Sequence, residues 1–182
     1  EAESSSSAST STITTPQKVG SEFQVNTYTT GDQGIYYEGS PGHNDPSVTS
    51  LANGGYAIAW TSDGQDGSGH GVFCQIYDAN NLKVADEFQL STHTGLNQGM
   101  VSLSGFADGK FIAVWDSYNQ DGSKSGVYGQ ILNTDGSKSG GEFYIPTNSN
   151  DAQYTPNVGV LNDGNALVTW SSYHLHSSSG NA

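Results

Sequence analysis

Asp63 and Asp66, in the segment Asp63-Gly64-Gln65-Asp66-Gly67-Ser68, have the residue types and spacing of a cation loop. Asn119 and Asp121 hold comparable places around Gln120 in a second such loop. Calcium takes carboxylate and carbonyl oxygens at about 2.3–2.6 Å, and a Gly-rich loop carrying these side chains supplies such atoms. Neither loop follows the EF-hand frame or the Gly-Gly-x-Gly-x-Asp ladder. An Asp-Gly turn whose carboxylate caps its own backbone explains the same residues without metal. His174 and His176 alternate, so on a strand they share a face and can share a transition metal, although no Cys or carboxylate adjoins them. The single cysteine, Cys74, makes no disulfide within the chain; it is either a buried inert thiol or an intermolecular bridge.

Catalytic constellations are missing from the sequence. There is no Gly-x-Ser-x-Gly elbow, no His-Glu-x-x-His, no phosphate-binding Gly loop and no dinucleotide fingerprint. The 18 acidic residues allow many carboxylate pairs, but Glu22, Glu87 and Glu142 recur in step with a repeat, as a structural role requires. The expectation is a protein that is not an enzyme and needs no cofactor, calcium being the one candidate. Tyr36, Tyr37 and Tyr118 stand near Asp/Asn-rich loops and are candidates for stacking on sugar rings.

The elements that position these residues come from an internal repeat. Trp60, Trp115 and Trp170 lie 55 residues apart, twice. Asn53-Gly54, Asp108-Gly109 and Asp163-Gly164 precede them at equal distance as hairpin turns. Gly71-Val72-Phe73-Cys74-Gln75-Ile76 returns as Gly126-Val127-Tyr128-Gly129-Gln130-Ile131, and Glu-Phe occurs at 22–23, 87–88 and 142–143. Apolar residues alternate through the Trp segments, putting Tyr56, Ile58 and Trp60 on one strand face. No stretch has helical periodicity. The expected fold is all-β, with three ~55-residue four-stranded repeats in a β-prism or propeller-like arrangement. The copies run about 19–83, 84–138 and 139–182, and the tryptophans pack in the core or stack on sugars. The first copy carries ten extra residues between its Phe and its Trp, placed between Gly34 and Pro46.

The third copy lacks the Gln-Asp-Gly-Ser loop and the Gly-Val strand. Residues 1–18 form a Ser/Thr-rich segment, and aligning Lys18-Val19 on Lys83-Val84 puts Ser6 to Ile13 where that strand belongs. Three readings stand open: a disordered or O-glycosylated tail, closure of the same chain, or donation to a neighbour. In the donation reading Thr10, Thr12, Ile13 and Thr14 enter a groove lined by Val168, Trp170 and Ser172.

The formal charge of −13 disfavours nucleic acid and anionic membrane surfaces as partners. Apolar runs reach only five residues, too short to insert in a membrane. Few Lys or Arg, a neutral polar surface and a start at Glu1 without Met suggest a processed, secreted protein at or outside the cell surface.

The segment Trp60-Thr61-Ser62-Asp63-Gly64-Gln65-Asp66-Gly67-Ser68-Gly69-His70-Gly71-Val72-Phe73 resembles the Trp-x-Ser-x-x-Gln-Asp-Gly-Ser-Gly-x-Gly-Val-Tyr repeats of large secreted bacterial surface proteins and adhesins. The resemblance spans Val19 to about Tyr173; the second copy has Val101 in place of the proline. It implies a secreted β-repeat with a structural or adhesive role and no catalytic residues. Two functions are expected: a protomer that assembles head to tail with itself into a filament or surface layer by strand donation, or a carbohydrate-binding adhesion module, calcium-dependent or not.

Overall fold

A computed structural model of the chain describes residues 20–34, 46–122, 124–147 and 152–173. These residues are all-β, with antiparallel sheets of four, four and two strands. The first sheet holds β1 (Ser47–Ser50), β2 (Tyr56–Asp63), β3 (His70–Tyr77) and β4 (Phe88–Gln89) in that order. The second holds β5 (Gln98–Gly105), β6 (Phe111–Tyr118), β7 (Ser125–Leu132) and β8 (Phe143–Tyr144). The third consists of β9 (Ala152–Val160) and β10 (Ala166–Tyr173).

The Asx-Gly turns set the hairpins. Leu51 N–H donates to Gly55 O at 2.8 Å, and the equivalent bonds close Phe106 with Lys110 and Leu161 with Asn165. Each loop therefore holds three residues, the last a glycine at φ 84°, 94° or 84°, the left-handed region that suits Gly54, Gly109 and Gly164. Asn53, Asp108 and Asp163 each accept the backbone N–H two residues on, at 3.0 Å.

The sheets stack face to face in chain order. β5 packs across β1, β2 and β3, and β9 packs across β5, β6 and β7. Alternation along β6 serves both contacts. Phe111, Ala113 and Trp115 join the core with Ala57, Ala59, Val72 and Cys74 of the first sheet. Ile112 and Val114 point the other way, into a cluster with Val158 and Val168 of the third. One hydrogen bond recurs at both junctions: Leu103 N–H donates to Ser47 Oγ at 3.0 Å, and Val158 N–H to Ser102 Oγ at 3.2 Å.

Sheet boundaries and sequence copies do not coincide. Phe88 and Phe143, which open the second and third copies, supply the last strands of the first and second sheets. The third sheet accordingly lacks counterparts of two strands, where the sequence pointed to one, among the described residues. The described residues on either side of the insert both lie along β2. Gln33 pairs with Ser62 on the side of β2 that β1 occupies, and Ser47 pairs with Ala59. In the second sheet the same spot is a β-bulge, with Met100 and Val101 opposite Trp115. Thr155 and Pro156 oppose Trp170 in the same way. Met100 and Thr155 have φ of 54° and 51°, so the strained residue belongs to the repeat.

Candidate functional site

The repeat tryptophans anchor a small polar set that spacing alone did not single out. Trp60 Nε1 donates to Gln33 Oε1 at 3.1 Å, and Gln33 Nε2 donates to Ser62 Oγ at 3.0 Å. Gln98, Trp115 and Ser117 stand at the equivalent places in the second sheet, and Gln153, Trp170 and Ser172 in the third. In the second set, Gln98 Oε1, Trp115 Nε1 and Ser117 Oγ are buried without a hydrogen-bond partner. The glutamines at 33, 98 and 153 were visible in the sequence, but the insert shifts the first by ten residues and hides the period.

The Gln-Asp-Gly loops and the Glu-Phe elements turn out to be two halves of one clamp. Gln65 Nε2 donates to Glu87 Oε1, and Gln120 Nε2 to Glu142 Oε1, each at 2.6 Å. The other carboxylate oxygens take backbone donors from the preceding segment: Thr27 N–H on Glu87 and Thr92 N–H, at 2.7 Å, on Glu142. Burial pushes the Glu87 carboxyl up, but hydrogen bonds from Thr27, Gln65 and Tyr28 outweigh it and hold the pKa below the ordinary value.

Of the four candidate calcium residues, Asp66 has both oxygens on protein donors: Ser68 N–H at 3.0 Å and Gln89 Nε2 at 3.2 Å. Asp121 accepts from Tyr144, whose phenol burial and this carboxylate hold above its usual pKa. Desolvation, with Asp121 beside it, raises Tyr128 to about 12. Asp63 and Asp66 lie at one end of the first sheet and Asn119 and Asp121 at the same end of the second, so the four form two pairs. Among the described residues no three His, Cys, Asp or Glu gather as a metal site. Cys74 is buried, and desolvation raises its thiol pKa strongly, which leaves it inert in the folded chain.

The proposed acceptor residues share the open sheet. Among the described residues β10 pairs only with β9, whereas β2 and β6 each have a strand on both sides. Trp60 and Trp115 lie opposite Phe73 of β3 and Tyr128 of β7 and are buried. Trp170 has no such cross-strand neighbour among the described residues and is 38% exposed. Val168 packs toward Val158, and Ser172 is exposed on the same strand. The donor residues Thr10, Thr12, Ile13 and Thr14 lie outside the described residues, as do Tyr36, Tyr37, His174 and His176.

Tyr118 borders a cavity of about 310 Å³ where the three sheets meet. His70 of the first sheet, Gln98 and Asp116 of the second and Tyr154 of the third line it with Tyr118 and Asn97. Tyr118 is about half exposed at its mouth, while Gln98 is buried. His70 Nε2 lies 4.0 Å from Asp63 Oδ1. Aromatic rings beside neutral polar groups and a carboxylate can hold a polar, uncharged ring.

No protein-family model matches this chain, and no curated protein does. Among solved structures it is similar to the endo-arabinase of Bacteroides thetaiotaomicron VPI-5482, with a TM-score of 0.46 and 14% identity. The match covers 69% of this chain and 50% of the enzyme's, so this chain spans about half the length of that one.

Proposed function

We propose that the chain is a secreted, non-enzymatic structural protomer that joins copies of itself head to tail. The observation that carries this reading is the third sheet, which among the described residues ends at β10 where the other two continue with two further strands. The missing pair has counterparts at the N-terminus: Ser6 to Ile13 align with β3, and Glu22-Phe23 with the Glu87-Phe88 that opens β4. In the assembled state Thr10, Thr12, Ile13 and Thr14 run along β10 of a neighbour, covering Trp170 beside Val168 and Ser172. Main-chain hydrogen bonds set the register of such an added strand, and apolar contacts supply most of the affinity. The resemblance to repeats of secreted bacterial surface proteins supports the same location. Deleting residues 1–18 is expected to leave a folded monomer that no longer assembles, seen by light scattering and negative-stain microscopy. Assembly that persists unchanged after the deletion overturns strand donation.

A second reading, a carbohydrate-binding adhesion module, is favoured by the cavity and its two tyrosines. Neutral oligosaccharides titrated by calorimetry should release heat with the intact protein and not with Tyr118→Ala. Repeating the titration with calcium and with chelator decides whether Asp63, Asp66, Asn119 and Asp121 contribute through a metal.

A further inference from the structure

Each end of the stack leaves exposed some of the positions that are buried at its two internal junctions, although Trp60, Phe73 and Tyr77 on the leading face of the first sheet are buried. At each junction the trailing face of one sheet receives the first strand of the next. Leu103 of β5 and Val158 of β9 are the residues received, each 6% exposed. Val48 of β1 holds the equivalent position, 55 residues before Leu103, and is 65% exposed. The receiving side behaves in the same way. Ala57 of β2 and Ile112 of β6 are buried against the following sheet, but their equivalent on β10, Leu167, is 56% exposed. Leu161 is also exposed, whereas Leu51 at the same turn position of the first sheet is buried. Exposed aliphatic residues at positions that an adjoining sheet covers elsewhere in the stack mark a face suited to such a sheet.

We infer that the trailing face of the third sheet, around Leu161 and Leu167, docks the leading face of the first sheet, around Val48, of a second copy of this chain. The inference rests on the head-to-tail reading and adds a contact between sheet faces to the strand added at the edge. The occupant is a copy of the same chain because the surface it must present is known from within the molecule. It is a β-strand with an aliphatic residue at the Val48 position and a backbone N–H beside it. Where Leu103 N–H meets Ser47 Oγ and Val158 N–H meets Ser102 Oγ, the next residue in the series is Asn157, whose side chain offers an acceptor to Val48 N–H. The two faces differ, so the contact is heterologous: it continues until the stack closes on itself or grows as a filament.

The test uses two charge substitutions, one at each end, in the full chain. Both positions are exposed, so Val48→Asp and Leu167→Asp are expected to keep the wild-type circular dichroism and thermal midpoint. Wild-type protein should gain mass with concentration in sedimentation velocity, and each variant alone should associate at least about tenfold more weakly, because a buried unpaired carboxylate opposes the contact. Mixed one to one at a concentration where each variant alone is monomeric, the variants should form dimers and nothing larger, since each retains the one intact face the other lacks. Wild-type assembly that neither substitution weakens overturns the face contact and leaves strand donation standing. Wild-type protein that stays monomeric throughout overturns both. Mixed variants that grow beyond dimers, or that fail to pair, overturn the proposed polarity.

Discussion

The same tryptophan stands in three settings, which differ in how many strands flank it among the described residues. Trp115 is fully buried, Trp60 is 5% exposed, and Trp170 is 38% exposed. Burying an aromatic side chain removes about 150–250 Å² from water, which at about 25 cal/mol/Å² contributes roughly 4–6 kcal/mol, an upper bound. With three-fifths of its surface covered, Trp170 retains roughly 2–4 kcal/mol on the same scale. Trp115→Ala is therefore expected to destabilise the chain by about 2 kcal/mol more than Trp170→Ala. The assay is urea unfolding of dilute protein, followed by fluorescence and by circular dichroism, so that separate melting of the third sheet would show as non-coincident transitions. Raising the concentration into the assembling range should narrow the difference, as a neighbour's strand covers Trp170. Equal costs for the two substitutions in dilute protein would refute the reasoning.

Other positions give independent checks. Glu87 has a pKa held below the ordinary carboxylate value, so its contribution to stability is complete above about pH 4.3 and lost as pH falls through the folded-state value. Glu87→Gln should thus destabilise at pH 7, and the gap to wild type should close on acidification; an unchanged gap at low pH would contradict the clamp. A Cβ on Gly105 would lie 2.4 Å from Ser50 O across the first junction, so Gly105→Ala should lower the thermal midpoint, with a cost of about 1–3 kcal/mol in denaturant unfolding. Cys74 should react with a thiol reagent only as fast as the chain opens; rapid labelling of the native protein would place the thiol at a surface.

Much of the fold was legible because the repeat makes each signal three times over. Alternation around Trp60, Trp115 and Trp170 announced strands, and Asx-Gly pairs announced the turns, down to the side chain that caps each one. What the sequence concealed was partnership across copies. Gln65 and Glu87 belong to different copies, so a reading organised copy by copy assigned them separate roles: a cation loop in one case, a bare structural acid in the other. The offset between copy and sheet hid the second missing strand in the same way, because the Glu-Phe element that opens a copy finishes the sheet before it. The cavity was less accessible still. Its lining comes from His70, Asp116 and Tyr154 on three sheets, and only Tyr118 had a local context that marked it.

The offset carries a consequence for assembly that can be tested at a single pair. Glu87 accepts from Thr27, and Glu142 from Thr92, each residue five positions after the preceding Glu. The next threonine in this series is Thr147, and the Glu that would follow it in a longer stack corresponds to Glu22 of another copy. If the N-terminus of one chain completes the third sheet of the next, Glu22 should take the Thr147 N–H of its neighbour. Glu22→Ala is then expected to weaken assembly more than it changes the stability of the monomer. Cysteines introduced together at Glu22 and Thr147 should form disulfides between chains on mild oxidation, giving a ladder of multiples on a non-reducing gel. A single band at monomer mass that shows an internal disulfide on peptide mapping would instead mean that each chain closes its own third sheet, and strand exchange between copies would be refuted.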